Sequence, residues 1–179
     1  MKIIRKILNK IRFKMMTDED YARYIGVEFG HGCNISTRGF SSEPYLIKLG
    51  DNVRVAKGVC FFTHGGLIPF RTKDSDLDIF GKINIGNKVH IGQGAYIMAG
   101  VTIGDNCIVG AGSVVSKSVP SGYIVGGNPA KIISKTDDFL DRARMADFNT
   151  KKLSPEDKKD HLLKNIDDPR YIVKKHMTI

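Results

Sequence analysis

Residues 85–119 read IGNKVHIGQGAYIMAGVTIGDNCIVGAGSVVSKSV, and this stretch decides the fold. An aliphatic side chain returns at every sixth place, at Ile85, Ile91, Ile97, Ile103, Val109 and Val115. Glycine follows it at Gly86, Gly92, Gly104 and Gly110, and the fifth place of each hexad holds Val89, Ala95, Val101, Cys107, Ser113 and Val119, all small or β-branched. A fixed period sets the architecture before any single helix or strand is assigned. Neither a helix nor an ordinary hairpin has this period. A small inward side chain every six residues beside a Gly or Asn suits short extended segments joined by tight bends, each coil stacked on the one before. A β-sandwich would space its turn signals more loosely, at about 8–12 residues.

The same frame recurs upstream, with Leu49, Val55 and Phe61 at the repeating place and Gly50, Val53 and Val59 around them, and it degenerates near Ile25 and Gly26. Three segments together carry a family resemblance: the hexads from Ile85 to Val119, the closing IVGGNPAKII at 124–133, and SEPYLIKLGDNVRVAKGVCFFTHGG at 42–66 followed after an insertion by FGKINIGNKVHIG. The chain from Gly26 to Ile133 resembles the hexapeptide acyltransferases, and within them the sugar and polysaccharide O-acetyltransferases related to the maltose, galactoside and xenobiotic acetyltransferases. The resemblance implies a mainly β fold, a left-handed parallel β-helix. The left hand comes from the resemblance alone, because general chirality rules favour right-handed parallel crossovers.

The expected organisation is an N-terminal helical segment over residues 1–24, a β-helix over 25–133 interrupted by a loop at 65–82, and a helical C-terminal extension over 134–179. Residues 1–14 place Ile3, Ile4, Ile7, Leu8 and Ile11 on one helical face and Lys2, Arg5, Lys6, Lys10 and Lys14 elsewhere. This pattern either lies in an anionic membrane interface or packs on the β-helix end or a neighbouring subunit. Thr17 and Asp20 are spaced like a capping box for a short helix through Tyr24. The loop, GGLIPFRTKDSDLDIFGK, is expected to cover the binding face. After the repeat, Thr136–Ala146, Pro155–Asn165 and Asp168–Lys175 read as short polar helices.

Composition narrows the function. The 179 residues, 41% hydrophobic and 26% charged, suit one globular domain with a small appendage. No apolar run reaches the roughly 18 residues a membrane-spanning helix needs, and the basic N-terminus lacks the apolar core of a secretory signal. The net charge of +9 points to anionic partners. The basic residues are scattered and accompany no stacking-aromatic cluster or zinc-finger spacing, so nucleic acid is not the expected partner. Cys33, Cys60 and Cys107 are odd in number, with no C-x-x-C pair, which reads as a reducing cytoplasm, with peripheral contact at the inner membrane face if residues 1–14 bind lipid.

Acyl transfer from a thioester to a hydroxyl needs a base for the hydroxyl proton, donors for the oxyanion and exclusion of water. Among five histidines, His161 and His176 sit in the polar tail, and His31 lies in a degenerate coil. His64 ends FFTHGG just before the loop, the place the resemblance gives to the catalytic histidine. Asn34, 30 residues upstream, matches the spacing of an acceptor-binding Asn in the family, and Glu43 would orient His64 or hold a sugar hydroxyl. Each could equally be a polar turn residue bonding its own backbone. Relatives often carry an Asp directly after the histidine, and Gly65 stands there instead, leaving open what orients His64. His90 either lines the acceptor cleft or faces outward. No H-x-x-x-x-H exists for a zinc site of the γ-carbonic-anhydrase kind, so no metal is expected.

The donor implied is acetyl-CoA, with Gly92 and neighbouring small residues leaving backbone open to pantetheine. Ala111 and Ser116 match CoA-contacting positions of the family, and Lys117 and Lys131 would meet phosphates. The family further implies a homotrimer with acetyl-CoA between subunits. Two other readings stay open: an N-acetyltransferase of an amino sugar nucleotide, and a non-catalytic trimeric scaffold.

Overall fold

The structure, a computed structural model, describes residues 13, 15–73, 75–174 and 176. The expected basic amphipathic helix of residues 1–14 therefore lies outside the described residues, Phe13 excepted. The division into compact units falls between Thr136 and Asp137.

In the first unit, alternating inward and outward side chains fold into three parallel faces of a β-helix. One face stacks β1 (Glu28–Phe29), β3 (Ile47–Leu49), β6 (Ile83–Ile85) and β9 (Thr102–Ile103). The second stacks β2 (Asn34–Ile35), β4 (Arg54–Val55), β7 (His90–Ile91), β10 (Ile108–Val109) and β12 (Tyr123–Gly126). The third stacks β5 (Cys60–Phe61), β8 (Tyr96–Ile97) and β11 (Val114–Val115). Every repeating aliphatic residue from Ile85 to Val115 is buried, and so is every residue at the fifth place, from Val89 to Val119. The hexad is thus one extended segment plus one bend. Its two inward positions fill a single continuous column of core.

Each coil must turn sharply, and the bends use left-handed backbone. Asn52, Lys88 and Asn106 adopt φ of 57°, 52° and 55° at one corner, and Gly58, Gly94 and Gly112 adopt 75°, 68° and 65° at another. Beside the first corner a ladder of side chains joins successive coils. Asn87 Oδ1 accepts from the Asp51 backbone N–H at 2.8 Å, Asp105 Oδ1 from that of Asn87 at 2.6 Å, and Ser121 Oγ from that of Asp105 at 2.9 Å.

Between the second and third coils the chain leaves the stack and returns in register. Ile47 pairs with Ile83, 36 residues on, whereas Asn84 pairs with Thr102, 18 on. Residues 65–82 therefore amount to one coil's length looped out, which is why the hexad frame reads the same on both sides. Gly81 N–H donates to Thr63 O at 2.8 Å and Gly65 N–H to Ile79 O at 3.2 Å, pinning both ends of the loop against His64.

α1 (Asp18–Ile25) starts where the sequence places it, with the Thr17 hydroxyl accepting from the Asp20 backbone N–H at 3.1 Å. The Thr17 hydroxyl also donates to the Asp20 carboxylate at 2.7 Å. The helix is not a separate segment. Arg38 donates to Asp18 at 2.8 Å and to the carbonyl oxygens of Phe13 and Met16, and Glu19 accepts from the Ile35 backbone N–H. At the other end β13 (Lys131–Lys135) runs antiparallel to β12, a hairpin that the repeat reading did not include. It covers the edge of the second face, with Lys131 and Lys135 at its two ends.

In the second unit, α2 (Thr136–Met145) begins at the boundary, and α3 (Pro155–Lys164) is capped by Ser154. Among the described residues, the helix expected over Asp168–Lys175 does not form. Pro169 disfavours helical backbone at Asp168, and the Asp168 carboxylate accepts from the backbone N–H and guanidinium of Arg170, closing a local turn instead.

Candidate active site

His64 stands on the outer side of the third face. Phe61 and Thr63 point inward and are buried, so Phe62 and His64 alternate outward. The segment from Ser41 to Pro44 passes alongside, with Pro44 opening a short 3-10 turn that leaves Glu43 at its N-terminal boundary. Glu43 Oε2 lies 2.8 Å from His64 Nδ1 and accepts from the Thr63 hydroxyl at 2.7 Å, and the Ser41 hydroxyl sits 3.2 Å from the same ring nitrogen. The hydrogen bond from Thr63, reinforced by the one from His64, holds the Glu43 carboxyl down to about 2. Glu43 is thus a carboxylate throughout the neutral range, and Nδ1 carries the proton it accepts. In the neutral ring, that tautomer puts the lone pair on Nε2.

Two cavities open on either side of this pair. One of about 160 Å³ is lined by Glu43, His64 and the loop residues Ile68, Arg71, Asp78 and Phe80. The other, of about 290 Å³, runs past Phe40, Ser41, Cys60, Phe62 and His64. Arg71 pairs with Asp78 at 3.2 Å and donates to Leu77 O, which braces the loop. Thr63 and Ser41 went unremarked in the sequence. Thr63 had one available signal: it is a polar residue at an inward place two positions after Phe61.

Of the expected donor residues, Ser116 and Lys117 follow β11 on the same face as His64. Met98 N–H donates to Val115 O and Phe62 N–H to Ile97 O, so Ser116 stands in line with Met98 and Phe62, and exposed Lys117 follows. Gly127 O accepts from Val114 N–H, and Ala130 N–H donates to Val114 O at 2.8 Å, so the GGNPA turn lies along β11 and delivers Lys131 beside it. Ala111 is exposed at the preceding corner. Gly92 differs from the expectation, because it is buried and a Cβ there would meet Ala111 N at 2.6 Å and Val109 O at 2.7 Å. Its bareness serves coil-on-coil approach rather than an opening to ligand.

Asn34 and His90 are not brought to His64 within the chain. Both lie on the second face, in register on either side of Arg54. Partial desolvation lowers the His90 pKa, and the charge of Arg54 lowers it further, so its imidazole is neutral near pH 7. Among the described residues no group of three or more His, Cys, Asp or Glu could hold a metal ion.

Because the Glu43 pKa is depressed below its ordinary 4.5, the carboxylate contributes stability that is fully present above 4.5 and is lost as pH falls toward about 2. Glu43→Gln should therefore flatten the decline of melting temperature between pH 5 and 3. An unchanged slope would mean that this hydrogen-bonded pair does not couple to folding.

A parallel β-helix of six-residue units, with a histidine–carboxylate pair where a loop leaves the coil, defines a hexapeptide-repeat acyltransferase. The bacterial transferase hexapeptide (six repeats) family model matches residues 82–117. The chain belongs to this family, on its acetyltransferase branch. It is 44% identical over 172 residues to Protein CapG of Staphylococcus aureus, an alignment spanning 92% of this chain and 99% of that protein. It is 34% identical over 120 residues to galactoside O-acetyltransferase of Escherichia coli (strain K12), covering 63% of this chain and 59% of the relative. The fold superposes on a galactoside acetyltransferase in complex with coenzyme A with a TM-score of 0.57 and 26% identity, over 69% of this chain and 72% of that one. These likenesses give the β-helix its left hand.

Proposed function

We propose that this chain is an acetyl-CoA-dependent O-acetyltransferase acting on a sugar hydroxyl, with His64 as its general base. The observation that carries the reading is the 2.8 Å contact between Glu43 and His64 Nδ1, beside a cavity under the loop. Nε2 takes the acceptor hydroxyl proton as the oxygen attacks the thioester carbonyl. The tetrahedral oxyanion collapses, the C–S bond breaks, and the departing CoA thiolate receives the proton from His64. Glu43 keeps the ring in the right tautomer and stabilises the imidazolium formed in passing, while Thr63 fixes Glu43.

Acetyl-CoA would run along the third face past Ser116, its phosphates near Lys117 and Lys131. The separation of Asn34 and His90 from His64 supports a cyclic homotrimer in which the second face of one subunit meets the third face of the next and completes the acceptor site. The free cysteines Cys33, Cys60 and Cys107 accord with a cytoplasmic enzyme.

The test is CoA-thiol release with a panel of sugar hydroxyl and amino sugar acceptors, run on the species whose mass is fixed by light scattering. A trimer that releases thiol with hydroxyl acceptors and forms an ester is expected. Release with amino acceptors only would make it an N-acetyltransferase. Acetyl-CoA binding with no release on any acceptor would make it a scaffold, and an active monomer would overturn the shared site.

A further inference from the structure

The second face carries a charged row that the donor chemistry does not use. Register puts Asn34 beside Arg54 and Arg54 beside His90, and all three are exposed. Adjacent strands lie about 4.8 Å apart, so the row spans roughly the width of one or two sugar rings. The Arg54 side chain makes no hydrogen bond or ion pair among the described residues. Arg38, Arg71, Arg144 and Arg170, by contrast, each pair with an aspartate. Its register neighbours, the Asn34 amide and the His90 ring, bring no carboxylate to the guanidinium. An unpaired guanidinium between two neutral hydrogen-bonding groups is complementary to an anion, and its planar fork matches the oxygens of a carboxylate or phosphate.

The row is also at the right height. β4 and β5 belong to the same coil, so Arg54 and His64 stand at one level of the stack. Rotation about an axis parallel to the stack preserves that level. In a ring where the second face of one subunit meets the third face of the next, as proposed above, it sets Arg54 of one chain opposite His64 of the next.

We propose that the acceptor sugar bears an anionic group, a carboxylate or a phosphate, bound by Arg54 of one subunit while His64 of the neighbouring subunit deprotonates the hydroxyl. Asn34 and His90 hold the sugar on either side of that anion. This rests on the O-acetyltransferase reading and names its substrate class.

The experiment compares kcat/KM for three matched acceptors: a hexuronate, a hexose phosphate and the corresponding neutral hexose. The native trimer should favour one or both anionic sugars by tenfold or more, and whichever is favoured identifies the carboxylate or the phosphate as the group read. Arg54→Ala should erase that preference, Arg54→Lys should restore part of it, and KM for acetyl-CoA should not follow. Confirmed mixed trimers of Arg54→Ala and His64→Ala subunits should regain activity on the anionic acceptor, since one interface then holds both residues intact. A native preference for the neutral hexose, or equal losses on neutral and anionic acceptors in Arg54→Ala, overturns the proposal while leaving the O-acetyltransferase reading in place. Binding separates the two readings further, by calorimetric titration with glucuronate and with inorganic phosphate. Salt-sensitive binding lost in Arg54→Ala supports the anion site even if no acceptor on the panel turns over, and binding that is absent or unchanged in the variant counts against it.

Discussion

His64→Ala should lower kcat by about 10²–10⁴, the range for loss of a general acid–base, or roughly 3–5 kcal/mol of transition-state stabilisation. The substituted side chain is exposed on the coil surface and fills no part of the core, so the melting temperature and the KM for acetyl-CoA should stay near the native values. Its partner Glu43 should show a smaller loss as Glu43→Gln, because the ring keeps a hydrogen-bond acceptor through the amide oxygen but loses the charge that favours the imidazolium. Pre-steady-state and steady-state CoA release, measured on the same acceptor, separate these effects. Native turnover in His64→Ala would show that another group takes the hydroxyl proton.

Phe61→Ala should cost about 3–5 kcal/mol of folding stability. Phe61 is 1% exposed, among the largest fully buried side chains, and its ring stacks on Phe40 with centroids 5.4 Å apart and planes 4° from parallel. The inward side chains of three faces fill the column at each level, and truncation leaves a void that neighbours held by the stacked coils cannot easily close. Phe62→Ala, one residue on and facing outward, is the internal control and should cost less than about 1 kcal/mol. Urea titrations of the two variants would reverse the inward and outward assignment if Phe62 proved the costlier.

The fold was legible because a hexad period fixes both the inward positions and the spacing of bends, and each repeating and fifth-place position from Ile85 to Val119 is buried as that period requires. Two kinds of feature were not legible. The hairpin of β12 and β13 breaks the period with an antiparallel return, and a repeat count carries no information about where the chain turns back. The helix expected after Asp168 failed because a polar segment with helical spacing says nothing against a competing side-chain-to-backbone turn.

At the site, His64 was read from its place before the loop, yet its relation to Glu43 was only one of two options. Their sequence separation of 21 residues reflects passage around a whole coil, which only the folded stack turns into a 2.8 Å contact. Asn34 was read from its spacing to His64, and His90 was left either lining the acceptor cleft or facing outward. Spacing along the chain does not reveal which of three faces a residue occupies.

The looped-out coil has a consequence for how such an enzyme can diversify. Since residues 65–82 take up one turn's worth of chain and the strands before and after pair directly, the stack is indifferent to what the excursion contains. The cover over His64 is an exchangeable cassette: its sequence can be rewritten, and its length altered, without shifting any coil against the next. The strip bearing Ser116 and Lys117 belongs to the uninterrupted part of the stack, where changing one residue count would slide everything downstream. Selection can therefore rewrite the cover over His64 while the groups placed along that strip stay where they are.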